Sequence, residues 1–178
     1  MSFFEYYYNN ILKAEFLTKY PYKNVYQLPK LDKVVLSFSL TQTSLKSLLP
    51  FISSLTLLAS QKPCLITSKR VYLHLRVKSG LPVGCKVDIR GKHKFILLEK
   101  LVFSILPRLK EFSTNFRGNI LSLSVLNLFV FKEIEKDYEH FPNLPKLNVH
   151  LVMKANGNKE IFDFLSAFRF PLQKMRKF

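Results

Sequence analysis

The sequence predicts an α+β fold: a mostly antiparallel sheet with helices packed on one face and the other face open. Three observations carry that expectation. Apolar residues recur at every second position in residues 34–40, 83–90 and 147–153, the mark of half-buried strands. They recur at helical spacing in residues 7–17, 45–58, 95–105 and 161–168. The polar side of the 83–90 segment carries Lys86, Asp88 and Arg90, which suits a sheet face left open to solvent or a ligand.

The elements follow in order. Tyr7, Ile11, Ala14 and Leu17 share one helical stripe, so an aromatic-rich helix is expected to run to about Pro21. Residues 1–27 are read as this helix or extension, and 28–178 as the domain proper. Val34, Leu36, Phe38 and Leu40 face one way on the first strand, with Val35, Ser37 and Ser39 opposite. Leu45, Leu48, Leu49, Ile52, Leu55 and Leu58 predict a helix capped by Thr43 or Ser44. Pro50 either kinks that helix or starts its main part. A short strand at 64–67 leads into a long basic connector, 68–82, closed by the turn Gly80-Leu81-Pro82. In the next strand Val83, Cys85, Val87 and Ile89 point inward and alternate with Gly84, Lys86, Asp88 and Arg90.

An amphipathic helix over 94–106 turns Phe95, Leu98, Leu101, Val102 and Ile105 inward. Pro107 stops it or begins a second short turn. Residues 115–119 read as a turn, 121–128 as a strand-like run, and 147–153 as a strand with Leu147, Val149, Leu151 and Met153 inward. Asn158 is expected to cap a last helix carrying Ile161, Phe162, Leu165 and Phe168, before a basic tail with Arg169, Lys174, Arg176 and Lys177.

Composition narrows the function. The chain holds 28 Lys and Arg against 12 Asp and Glu, a net charge of +16. Residues 61–94 hold nine of the cations (Lys62, Lys69, Arg70, Arg76, Lys78, Lys86, Arg90, Lys92 and Lys94) and one acid, Asp88. That net of +8 is half the total. Like charges gathered on a surface repel, and a bound polyanion removes the repulsion and releases its own counterions. Nucleic acid is the first expectation for the partner; the rival is an anionic membrane surface met by a peripheral protein. A spanning segment is not expected, because the longest apolar run, 120–131, is broken by Ser122, Ser124 and Asn127 and falls short of the ~20 residues needed. The N-terminus lacks a secretory pattern and makes a poor transit peptide, with Glu5 and Glu15 present and no Arg before Arg70. Either the protein is used where it is made, or a presequence has been removed.

Catalysis has little to stand on. His74, His93, His140 and His150 show no metal-ligand spacing and no nucleophile partner. No phosphate-cradling glycine loop occurs. Glu133, Glu135, Asp137 and Glu139 read as a solvated connector between strands. Two cysteines, Cys64 and Cys85, make neither a disulfide framework nor a zinc quartet, and both are expected as small buried hydrophobes. Neither a cofactor nor a catalytic residue is expected. Within the connector, Leu73, Leu75 and Val77 are apolar residues with few obvious core partners, which suits a basic loop inserted against RNA or another macromolecule.

At this point seven motifs occur in an order that resembles one family. Leu28-Pro29-Lys30-Leu31-Asp32-Lys33-Val34-Val35-Leu36 is similar to the opening strand of the universal L-five family of large-subunit ribosomal proteins. Gln61-Lys62-Pro63 with residues 65–70 resembles that family's Gly-Gln-Lys-Pro motif. Gly80-Leu81-Pro82-Val83-Gly84-Cys85-Lys86-Val87-Asp88-Ile89-Arg90-Gly91 is similar to its Gly-Met-Pro-Ile-Gly-x-Lys-Val-Thr-Leu-Arg-Gly. Leu106-Pro107-Arg108-Leu109-Lys110-Glu111-Phe112, Arg117-Gly118-Asn119, Phe131-Lys132-Glu133-Ile134 and Phe168-Arg169-Phe170-Pro171 follow. The N-terminal segment resembles the family least.

The resemblance implies an rRNA-binding structural protein of the central protuberance, without catalysis. It implies large-subunit rRNA on the open sheet face, 5S rRNA where the ribosome has one, and transient contact of the 68–82 loop with P-site tRNA. Neighbouring central-protuberance proteins and a small-subunit head protein are further implied partners, with no membrane insertion. On this reading the RNA-binding residues are Lys33, Ser37, Gln61, Lys62, Thr67, Lys69, Arg70, Lys86, Asp88, Arg90 and Lys92. The tRNA-facing residues are Arg70, Tyr72, His74, Arg76, Lys78 and Gly80. Five positions depart from the family pattern: Ser37 for Asn, Ser39 for Gly, Asp88 for Thr, and His74-Leu75 for Gly-Phe. These departures, with 17 Phe and 8 Tyr against 5 Gly, favour a mitochondrial ribosome over a bacterial or plastid one.

Overall fold

A computed structural model describes residues 2–39, 45–75, 77–109, 112–141 and 144–171. Six antiparallel strands join in one sheet of order β2-β3-β1-β6-β5-β4, and helices complete the expected α+β fold. The strands are β1 (Lys30–Ser39), β2 (Cys64–Thr67), β3 (Pro82–Ile89), β4 (Ser113–Arg117), β5 (Ile120–Val125) and β6 (Leu147–Lys154). The helices are α1 (Phe3–Tyr7), α2 (Lys13–Lys19), α3 (Leu45–Ala59), α4 (His93–Lys100), α5 (Lys132–Lys136) and α6 (Asn158–Ala167). The residues gather into two compact units. One comprises Met1–Val34, Arg90–Leu123 and His150–Phe178; the other comprises Val35–Ile89 and Ser124–Val149.

The second unit contains β2, β3 and α3. Val87 and Ile89 on β3 and Leu36 and Phe38 on β1 are buried, in the predicted phase. α3 packs on β3 through Leu48, Phe51, Leu55 and Leu58, and the Phe38 and Phe51 rings lie 5.8 Å apart. One expectation for α3 needs correcting. Leu49 faces solvent, and the inward stripe takes Phe51 and Ser54 instead. The buried Ser54 hydroxyl is satisfied by donating to the Phe51 carbonyl, which is why a polar residue fits there. Pro50 sits inside the helix. Thr43 and Ser44, the expected caps, lie outside the described residues, as do Leu40, Arg76, Lys110, Glu111 and the basic tail from residue 172.

Gly84, which shares the parity of Lys86 on β3, is not exposed as Lys86 is. It is buried, and a Cβ built on it would stand 2.4 Å from the Phe38 backbone carbonyl oxygen. Backbone cannot swing aside as a side chain can, so this close approach of β3 to β1 requires glycine. Gly84→Ala is expected to cost about 1–3 kcal/mol, read as a lower urea midpoint with unchanged slope. A variant as stable as the parent would show that the two strands do not approach so closely.

In the first unit, α1, a π turn (Tyr8–Leu12) and α2 succeed one another, ending where Tyr20 turns extended before Pro21. The expected stripe of Tyr7, Ile11, Ala14 and Leu17 is not the buried one: Phe4, Tyr8, Leu12 and Phe16 are. A strict four-residue repeat overruns the ~3.6-residue α-helical turn. The π turn, with its wider closure, absorbs the difference and keeps all four on one side. These residues meet α4 and α6. Phe4 packs on Phe103 and Phe168, and Tyr8 on Phe95 and Phe164. The Tyr8 hydroxyl donates to the Pro29 carbonyl at 3.0 Å. Lys19 and the Tyr20 hydroxyl both donate to Asp163 Oδ2, and these two bonds, Lys19's first, hold the Asp163 carboxyl below its usual range.

α4, a second π turn (Leu101–Ile105) and a short 3-10 turn (Leu106–Arg108) bury Phe95, Leu98, Leu101, Val102 and Ile105, as expected. Pro107 begins the short turn rather than ending the helix bluntly. The turn expected at 115–119 shrinks to Gly118 and Asn119, because β4 occupies Ser113–Arg117. β4 has almost no apolar alternation to announce it; Phe116 anchors it 5.1 Å from Phe162. That contact leaves Phe162 half-buried, and Phe164 takes its place in the core. Asn158 is the first residue of α6 and not its cap; Gly157 holds the cap position without a side-chain bond. The acidic connector folds as α5 and a 3-10 turn (Tyr138–His140), anchored by buried Phe131 and Ile134.

Candidate nucleic-acid interface

β3 decides the interface, because its period of two separates core from solvent. Cys85, Val87 and Ile89 enter the core; Lys86 is exposed and Asp88 half-buried on the other side. β2 pairs with it in register Cys64↔Lys86, Leu65↔Cys85 and Ile66↔Gly84, then shifts so that Thr67 meets Pro82. Such an irregularity re-aims the end of a strand. Here it lies at the base of the basic connector. Gln61 and Lys62 lead into β2, Thr67 ends it, and exposed Lys69 and Arg70 open the connector.

The connector is an ordered excursion with its own hydrogen bonds. Ser68 N donates to Leu81 O at 2.9 Å and Gly80 N to Ser68 O at 2.8 Å, closing its neck. Gly80 makes that closure with φ +84°, a left-handed conformation that suits glycine. Further out, Tyr72 and Val77 exchange two backbone bonds, and a 3-10 turn (Leu73–Leu75) forms the tip. Leu73 is 84% exposed, as an apolar tip should be, but Val77 is buried and anchors the excursion. Tyr72, His74, Lys78 and Gly80 are exposed on it.

The cations of this unit stand in water. Among the described residues, Lys62, Lys69, Arg70, Lys78 and Lys86 make no ion pair, and the same holds for Lys92 in the first unit. The ion pairs Lys19–Asp163 and Lys154–Asp32 lie elsewhere. Ser37 is half-buried on β1, in the unit of Lys86 and Asp88. Lys33, Arg90 and Lys92 belong to the first unit, where Arg90 and Lys92 are exposed and Lys33 half-buried. Lys94 departs from the solvated set. It is half-buried, donates to the Leu31 carbonyl, and burial pulls its ammonium below the usual lysine range.

Two polar pairs escaped sequence reasoning. Ser122 Oγ lies 2.9 Å from His150 Nδ1, and Ser124 Oγ donates to Asn148 at 3.1 Å. Burial lowers the His150 pKa, so this ring is neutral near pH 7. The signal was there: these residues alternate with buried Leu121, Leu123, Val149 and Leu151, so they share the non-core side of their strands. Cys64 is exposed, against expectation, because β2 is an edge strand; Cys85 is buried, and burial pushes its thiol up to about 11. Among the described residues no group of three His, Cys, Asp or Glu could hold a metal ion, and no helix is long and apolar enough to cross a membrane.

A family profile for the C-terminal part of the ribosomal L5 proteins matches residues 82–172, from β3 through α6. The chain is 32% identical to the "Large ribosomal subunit protein uL5" of Wigglesworthia glossinidia brevipalpis, over 98% of this chain and all of that one. It belongs to the ribosomal L5 family. Similarity extends to the uL5 of Buchnera aphidicola from Baizongia pistaciae (30% identity, 94% of this chain, 96% of the relative). It extends equally to the "uL5m" of Reclinomonas americana (29% identity, 94% of this chain, 96% of the relative). The L5 family is structural and non-enzymatic, so the exposed cations have no reaction to serve. Bacterial and mitochondrial members stand side by side among the relatives, which places the chain in a ribosome of either kind. The profile match begins at Pro82, so the connector and the N-terminal helix are covered only by the full-length relatives.

Proposed function

We propose that the chain, as a structural constituent of the large ribosomal subunit, docks on rRNA through the outward side of β3 and the segment around β2. Lys62, Lys69, Arg70 and Lys86 engage phosphates there, with Ser37, Gln61, Thr67 and Asp88 as neutral or acceptor contacts to ribose and base edges. Lys33, Arg90 and Lys92 are further rRNA contacts of the first unit. Where the ribosome contains 5S rRNA, that RNA is the ligand of the β3 face. The connector, through Arg70, Tyr72, His74, Arg76, Lys78 and Gly80, reaches toward P-site tRNA. Remaining surface meets neighbouring central-protuberance proteins and the small-subunit head.

One observation carries this reading: a strand with a sealed apolar side presents Lys86 to solvent, in the same unit as exposed Lys62, Lys69 and Arg70, and these four make no ion pair among the described residues. RNA phosphates complete that electrostatics. The test is co-sedimentation with large subunits, followed by sequencing of the RNA cross-linked through Lys86. Protein in the large-subunit peak, with cross-links confined to one or two rRNA segments, is expected. Large subunits complete without the chain, or cross-links scattered over all RNAs present, would defeat the proposal.

A further inference from the structure

The first unit holds a cleft of about 470 Å³ that the rRNA reading above does not use as a pocket. Tyr8 and Lys13 of the N-terminal helix form one wall; Tyr26, Lys30, Lys92 and Lys94 complete it. Four ammonium groups around one concavity define an anion site by charge. Lys30 and Lys92 are exposed and make no ion pair among the described residues, while Lys13 is held by Asn9 and Lys94 by the Leu31 carbonyl. The free pair stands toward solvent and the bonded pair is half-buried. Glu5, also half-buried on the wall, keeps a phosphate from going deeper.

The second observation is Tyr26, which is 91% exposed. It rides on a 3-10 turn (Val25–Gln27) tied on both sides: Gln27 N donates to Asn24 O and Leu28 N to Val25 O. Leu28 beyond it is buried, and the Pro29 carbonyl accepts from Tyr8. The ring is thus held out by an anchored turn and adds nothing to the core. A flat aromatic beside a cationic concavity is the arrangement that binds unpaired bases, the base stacking while its phosphate meets lysine. The space suits one nucleotide and is too small for a duplex, whose phosphates would touch only the rim.

We propose that this cleft takes a single unpaired RNA nucleotide, its base stacked on Tyr26 and its phosphate held by Lys30 and Lys92. The proposal rests on the reading of the chain as an RNA-binding protein and deepens it: around Lys92, already an rRNA contact, the cleft adds a preference for unpaired over paired RNA.

The full chain is titrated with a labelled single-stranded RNA octamer and with a blunt RNA duplex, at low salt. Tyr26→Ala is expected to weaken octamer binding about tenfold or more and to leave the duplex within about twofold. Tyr26→Phe should restore the octamer, since the ring and not the hydroxyl is required. Lys30→Gln should lower the octamer's salt slope by about one. Octamer affinity indifferent to Tyr26→Ala, or equal losses for octamer and duplex, would overturn the cleft. So would a Tyr26→Ala protein that keeps the octamer but loses anionic phosphatidylserine vesicles, the signature of a membrane anchor. If the wild-type chain binds neither RNA, the rRNA-binding reading itself has failed; if it binds the duplex but is blind to Tyr26, only the cleft has.

Discussion

Affinity for large-subunit rRNA is expected to fall about 10³-fold between 50 and 200 mM salt. The magnitude follows from the count of available cations. Lys62, Lys69, Arg70, Lys86 and Lys92 are five exposed groups with no ion pair among the described residues, and exposed Arg90 is the sixth rRNA contact proposed above. If each meets one phosphate, log K falls with log salt at a slope of about −5, because each contact returns nearly one counterion to solution. Lys62→Gln, Lys69→Gln and Lys86→Gln combined should bring the slope to about −3. All three side chains are exposed, so circular dichroism should be unchanged. A flat salt response would remove electrostatic docking as the mechanism. Loss of fold in the triple variant would mean that β3 turns Lys86 toward the core.

The second large effect concerns stability. Phe164→Ala is expected to cost about 3–5 kcal/mol, the range for emptying a buried aromatic site. The ring is 1% exposed, and it lies 4.9 Å from Phe168, 5.9 Å from Tyr8 and 6.4 Å from Phe16. It ties the N-terminal helix to α6, so its loss should also raise hydrogen exchange in Lys13–Lys19. Leu17→Ala is the matching control. The spacing in the sequence sets Leu17 inward; the structure exposes it, so its truncation should cost less than about 0.5 kcal/mol. Thermal or urea unfolding of the two variants decides the orientation of the helix. A larger loss for Leu17→Ala would reverse it.

These cases show which signals were legible. β1, β3 and β6 were read in the correct phase because a strand repeats in two residues, and two residues leave no freedom to misassign a face. The α4 face was equally clear. The N-terminal helix was not, since aromatic residues occur all around it and two stripes compete. Local spacing favoured the wrong one, and a π turn made the other continuous. Leu49 misled for the same reason: on a helix with apolar residues on several sides, only the partner selects the face. β4 was missed because its strand character comes from pairing with β5 and not from alternation.

The interface divides similarly. The charge asymmetry of residues 61–94 and the outward placement of Lys86 and Arg90 were readable from composition and period alone. The polar pairs on β5 and β6, the burial of Val77 and the recruitment of Lys94 by the Leu31 carbonyl were not. The groups involved stand 28 or 24 residues apart for the polar pairs, and 63 for Lys94.

By itself the sequence determined the α+β class, the faces of the long strands, the location of the excess charge and the family. Those properties are local or additive: a repeat of two, a sum of charges, motifs in order. Tertiary structure alone decided which helix stripes are buried, why position 84 must be glycine, and that Tyr26 stands beside a cationic cleft. Each of these is set by an approach between segments distant in the chain, and no local pattern encodes the distance at which two backbones meet.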